Sequence, residues 1–126
     1  MKMPREIMFR GKKIDSGEWI FGSYIKRWTG TRYKHYICEG LYEQEVDPAT
    51  VGQYICLLDK NKVGIYEGDI VLNECKEKFL VIWDGVGFRA ALNGSKKAIY
   101  TTNEYWFMGC EIIGNIHDNP ELLEVE

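Results

Sequence analysis

Asp69-Ile70-Val71-Leu72, Phe79-Leu80-Val81-Ile82-Trp83 and Gly87-Phe88-Arg89-Ala90-Ala91-Leu92 are short apolar runs, the second of which ends on Asp84-Gly85. Runs of about five residues rich in Val, Ile, Phe and Trp, closed by turn formers, read as β-strands; a helix needs ~10 or more residues to bury a stripe. The same pattern recurs outward in both directions. Arg5-Glu6-Ile7-Met8-Phe9-Arg10 puts Ile7 and Phe9 on one face, and Asp15-Ser16-Gly17 turns the chain into Glu18-Trp19-Ile20-Phe21-Gly22-Ser23-Tyr24-Ile25, which predicts a hairpin. A further turn at Trp28-Thr29-Gly30-Thr31 leads into Tyr33-Lys34-His35-Tyr36-Ile37-Cys38, and Gln53-Tyr54-Ile55-Cys56-Leu57 and Glu111-Ile112-Ile113-Gly114-Asn115-Ile116 add strands.

Helix is expected only as two single turns. Each opens on Asx-Pro, where proline's missing N–H costs nothing and the Asx side chain can cap free donors. These are Asp47-Pro48, stopped by Gly52, and Asn119-Pro120 near the C-terminus. Alternation nominates Ile7, Phe9, Trp19, Phe21, Ile70, Val81, Trp83, Phe88 and Ile113 for the core. With no linker, repeat or low-complexity tract, residues 1–126 read as a single all-β domain with the last few residues frayed. Strands recurring at ~8–12-residue spacing favour a small barrel or sandwich over a doubly wound sheet.

The chain has 126 residues, 45% hydrophobic and 28% charged, with 16 Lys+Arg against 19 Asp+Glu, which describes a globular domain able to bury a core unaided. No run approaches the ~20 apolar residues of a membrane span, and the N-terminal residues lack the apolar region of a signal peptide, so a cytoplasmic protein is expected. Cys38, Cys56, Cys75 and Cys110 contain no Cys-x-x-Cys pair, and His35 and His117 lie far apart, so free, mostly buried thiols and no metal are expected. No Gly-x-Ser-x-Gly, P-loop, His-Glu-x-x-His or Gly-x-Gly-x-x-Gly occurs, so neither an enzyme nor a cofactor is expected. Glu67 and Asp69 form a carboxylate pair, but in Tyr66-Glu67-Gly68-Asp69 the stronger reading is a tight turn, with Gly68 at φ > 0 and Asp69 accepting from a backbone N–H.

Residues 1–38 hold nine basic groups against three acidic ones, and residues 39–126 hold seven against sixteen. Within the basic part, Lys26-Arg27-Trp28 and Arg32-Tyr33-Lys34 place four cations and two aromatics about one hairpin tip. Phosphate attraction with base stacking is how small β-proteins hold single-stranded nucleic acid. The competing reading pairs Trp28 with Tyr33 across the hairpin and leaves the cations as a solvated edge.

Several blocks carry a family resemblance: Arg5-Glu6-Ile7 to Gly22-Ser23, Glu45-Val46-Asp47-Pro48 to Thr50-Val51-Gly52-Gln53-Tyr54, Ile65-Tyr66-Glu67-Gly68-Asp69-Ile70-Val71, and Ile113-Gly114-Asn115-Ile116 with Asn119-Pro120-Glu121-Leu122-Leu123. In order and over nearly the whole chain, they resemble the YopX family of phage and prophage proteins. The resemblance implies an SH3-like barrel, expected over Tyr54 to Ile116, with an N-terminal hairpin and meander as an extension. It implies phage origin and no established activity. An interaction protein is then expected, acting through contacts with itself or with a host or phage protein; weak single-stranded nucleic-acid binding at Lys26 to Lys34 is the alternative. One departure is local: members usually carry Asn-Gly before the Ile-Tyr-Glu-Gly-Asp block, whereas here Asn61 is followed by Lys62 and the glycine comes at Gly64.

Overall fold

The computed structural model describes residues 5–123. Lys2 of the basic segment and the final residues expected to fray lie outside them. The chain divides into two compact units, Met1–Tyr54 and Ile55–Glu126. Its strands form two antiparallel sheets.

In the first unit, β1 (Phe9–Lys12), β2 (Trp19–Trp28), β3 (Tyr33–Glu39) and β4 (Tyr42–Glu45) lie in the order β4-β3-β2-β1, and the start of β5 (Gly52–Leu58) adds beside β1. Both expected turns form around left-handed glycines, Gly17 at φ +74° and Gly30 at φ +96°. Gly22 serves a different end: a Cβ there would stand 2.1 Å from the carbonyl oxygen of Cys38, so only glycine lets β3 approach β2 this closely. Ile20, Ile37 and Val46 form the core, packed by Phe9, Tyr24 and Val51. Asp47 caps the 3-10 turn Pro48–Thr50 as expected, its Oδ1 accepting from Ala49 N at 3.0 Å, and Gly52 opens β5.

The second unit contains the rest of β5, β6 (Gly64–Tyr66) beside it, and a five-stranded sheet. That sheet runs β10 (Ile99–Tyr100), β9 (Phe88–Leu92), β8 (Lys78–Trp83), β7 (Asp69–Leu72), β11 (Glu111–Asn115). Ile55, Ile65, Val71, Phe79, Val81, Ala90, Phe107 and Cys110 share one core. Gly68 at φ +96° turns β6 into β7, and Asp69, 3% exposed, accepts from Tyr66 N at 2.8 Å, as its sequence reading requires.

Several expectations are corrected. Neither sheet closes into a barrel among the described residues: β10 and β11 are the outer strands of the five-stranded sheet and do not pair with each other. The one α-helix among the described residues, α1 (Glu104–Met108), arises where none was expected. Asn103 Oδ1 accepts from Trp106 N at 3.0 Å to start it, Gly109 ends it, and Phe107 drives into the core. Asn119 does not cap the 3-10 turn Pro120–Leu122; its side chain reaches back to accept from Asn115 N at 3.2 Å and braces the end of β11. The phase of β2 is the opposite of the one that would bury Trp19 and Phe21. Ile20 points into the core, and with a period of two Phe21 then points away, 39% exposed. Ile7 precedes β1 and is exposed, and Trp83 overhangs the end of the core on β8, leaning on Phe88. Ile70 and Val81 are fully buried, Phe9 and Phe88 pack at the core margin, and Ile113 is half-buried at the irregularity in β11.

Candidate functional site

The basic and aromatic residues singled out from the sequence lie on one long ribbon, β2 with β3. Directly opposed residues share a face, so Trp28 opposite Tyr33 and Lys26 opposite His35 stand on one side, and Arg27 opposite Lys34 and Ile25 opposite Tyr36 on the other. On the first face Trp28 meets Tyr33 edge-on, centroids 5.0 Å apart, and Lys26 Nζ sits 4.2 Å above the Tyr33 ring. Next along, Tyr24 and His35 stack, with a hydrogen bond between the Tyr24 hydroxyl and His35 Nδ1.

The second face shows what sequence reasoning missed. The Arg27 guanidinium donates to both carboxylate oxygens of Glu43 and lies 4.9 Å from the centre of the Tyr36 ring, and Lys34 Nζ stands 3.9 Å from Glu45. The hydrogen bond from Arg27 holds the Glu43 carboxyl below its ordinary range, and Glu43 in turn raises Arg27. Both glutamates belong to β4, whose alternation Glu43-Gln44-Glu45 sets two acids on one face; that short polar run was the available signal. Arg32 is exposed in the turn, where its carbonyl accepts from the backbone N–H and hydroxyl of Thr29.

The remaining sequence-predicted residues are architectural. Asp47, Pro48 and Gly52 shape the entry to β5, Gly68 and Asp69 the β6 to β7 turn, and Asn119 and Pro120 the exit from β11. Cys110 is buried, Cys38 and Cys56 partly so, and Cys75 is exposed, against the expectation of mostly buried thiols. Burial, helped by the charges of Glu74 and Asp59, pushes the Cys110 thiol up to about 12, so it is no nucleophile at neutral pH. No three His, Cys, Asp or Glu side chains gather as a metal site among the described residues. No helix of the structure is long and apolar enough to cross a membrane.

The chain belongs to the YopX family: the family model described as YopX protein matches residues 8–124. Among solved structures, the crystal structure of protein EF1440 from Enterococcus faecalis is similar, with a TM-score of 0.60 at 19% identity, covering 96% of this chain and 100% of that one. At that identity the likeness speaks for the fold alone. None of the curated proteins matches the sequence.

Proposed function

We propose that the chain is a non-enzymatic interaction protein of phage or prophage origin, working in the host cytoplasm through protein–protein contacts or self-assembly. One observation carries the preference over nucleic-acid binding: three of the four cations about the tip, all but the exposed Arg32, already have partners. Arg27 is held by Glu43, Lys34 lies near Glu45, and Lys26 covers the ring of Tyr33 that a base would need. Phosphate binding would have to displace these carboxylates, and each lost contact removes ~0.7 from the single-strand salt slope. The first unit meanwhile exposes Trp28 and Tyr33 at one end of β3 and Leu41 and Tyr42 at the other, apolar area suited to a protein partner. In the same reading the five-stranded sheet is an opened relative of the SH3-like barrel, a meander whose last strand, β11, returns beside its first, β7.

Capture from host extract with and without nuclease, alongside light scattering of the purified chain, tests the proposal. A nuclease-resistant partner or a discrete oligomer is expected. Nuclease-sensitive capture, with salt-dependent retention of single-stranded DNA that Trp28→Ala weakens by ~1–3 kcal/mol, would overturn it in favour of nucleic-acid binding.

A further inference from the structure

The second unit holds a cavity of about 360 Å³ lined by Phe79, Leu92, Tyr100 and Trp106, with Asn73, Glu77, Thr101 and Thr102 as its polar part. Its aromatic walls stand nearly perpendicular to one another. Phe79 meets Trp106 at 89° with centroids 5.0 Å apart, and Tyr100 at 79° and 6.0 Å. Phe79 is buried and fixed in the core, whereas Tyr100 is half exposed. The only charged side chain in the lining is the carboxylate of Glu77, oriented by a hydrogen bond from Asn73 Nδ2 at 3.1 Å. The Thr102 hydroxyl oxygen is buried and has no hydrogen-bond partner.

These features point to one class of ligand. An aromatic face attracts a cation, most strongly when water is excluded, and a carboxylate at the rim adds charge complementarity. Elsewhere the chain covers its own rings with its own cations: Arg10 and Lys12 lie over Trp19, Lys13 over Tyr42, Lys26 over Tyr33 and Arg27 over Tyr36. Among the described residues no lysine or arginine lies over Phe79, Tyr100 or Trp106, and none lines the cavity. The cavity also lies beside β10, an edge strand of two residues, with Thr101 and Thr102 following it outside the sheet pairing, an edge that another polypeptide can lie along.

We infer that this cavity receives the side chain of an arginine or lysine from a partner polypeptide lying along β10. The inference rests on the protein-interaction reading and names the chemistry of one contact. Its test needs no knowledge of the partner. The intact protein, labelled with ¹⁵N, is titrated with acetyl-Gly-Arg-Gly-amide, with the same peptide carrying neutral citrulline, and with guanidinium chloride.

Saturable shifts of the Trp106 indole and the Thr101 and Thr102 amides are expected with the arginine peptide. Citrulline should bind ~5- to 30-fold more weakly, the worth of a partly desolvated cation–π contact. Tyr100→Leu, at a half-exposed position, should weaken the arginine peptide similarly while leaving the remaining spectrum folded, and Glu77→Gln should weaken it several-fold. Absence of saturable shifts, equal binding of arginine and citrulline, or an unaffected and folded Tyr100→Leu variant would overturn the site. Guanidinium binding as tightly as the peptide would overturn the polypeptide source. Failure to capture any partner from extract, with the peptide still bound, would fail the broader reading and spare the site, so the two are distinguishable.

Discussion

Asp59 is 3% exposed, and its carboxylate ties three backbone donors together. Oδ1 accepts from Asn61 N at 2.8 Å and Val63 N at 2.9 Å, shaping the turn between β5 and β6, and Oδ2 accepts from Ile112 N at 3.1 Å, fifty-three residues away on β11. Asp59→Ala removes all three acceptors. Asn61 and Val63 are exposed, so water can replace the lost partner there at ~0.5–1 kcal/mol each; Ile112 N–H is half-buried, and losing a charged acceptor costs ~1.5–3 kcal/mol. The variant should therefore lose ~2.5–5 kcal/mol. Asp59→Asn is the sharper perturbation, because it keeps one oxygen. With that oxygen on the turn, its NH2 faces the Ile112 N–H, donor against donor, and ~1.5–3 kcal/mol should go. Urea unfolding followed by circular dichroism reads both, with the slope m unchanged if only the native state is affected. An Asp59→Asn variant within ~0.5 kcal/mol of the parent would refute the idea that this carboxylate links the turn to β11.

Lys62 adopts φ +63° in the same turn, a region costly for a residue with a Cβ, so Lys62→Gly should stabilise the protein by ~0.5–1 kcal/mol in the same unfolding assay. Under native conditions at pH 8 a thiol reagent should label Cys75 first, and Cys110 should react only on unfolding, as mass spectrometry of digested protein would show. Asp84 accepts from the backbone N–H groups of Gly87 and Val86 and faces Arg89, and these hold its carboxyl below the ordinary range. Its folded value being depressed, the stabilisation is present above the unfolded value and lost as pH falls through the folded one; Asp84→Asn should flatten the acid limb of the stability profile, and an unchanged limb would refute this. Trp28→Ala should cost ~0.5–1 kcal/mol of stability through its cross-strand ring contact and leave single-stranded DNA retention unaltered.

Strands declared by alternation and turn residues were legible in the sequence: β2, β3, β5, β7, β8, β9 and β11 lie within a few residues of their predicted positions. What escaped was set by tertiary context. Which face of β2 turns inward depends on pairing with β1, and nothing local distinguishes Ile20 from Phe21 as the buried residue. The helix Glu104–Met108 is too short to show a period, and only Asn103 and Gly109 as brackets announce it. Lys62 shows the converse. It follows Asn61 in a turn without glycine and takes the left-handed conformation that favours glycine. The signal for it lay in Asp59, whose carboxylate holds the loop from inside.

The charge asymmetry read along the chain changes meaning once the units are known. A boundary at residue 38 separates the cations of β2 and β3 from the glutamates of β4, although these three strands are neighbours in one sheet. Counted by unit, residues 1–54 carry nine basic and seven acidic groups, and residues 55–126 carry seven and twelve. The apparent excess of +6 shrinks to +2, while the second unit keeps −5. Over distances near the ~8–10 Å Debye length, it is this local sum, not the linear one, that a ligand meets. A polyanion therefore finds little net attraction at the ribbon, where Glu43 and Glu45 stand among the cations. A cationic side chain approaching Glu77 meets a field of the favourable sign, because the second unit carries −5 where the first carries +2.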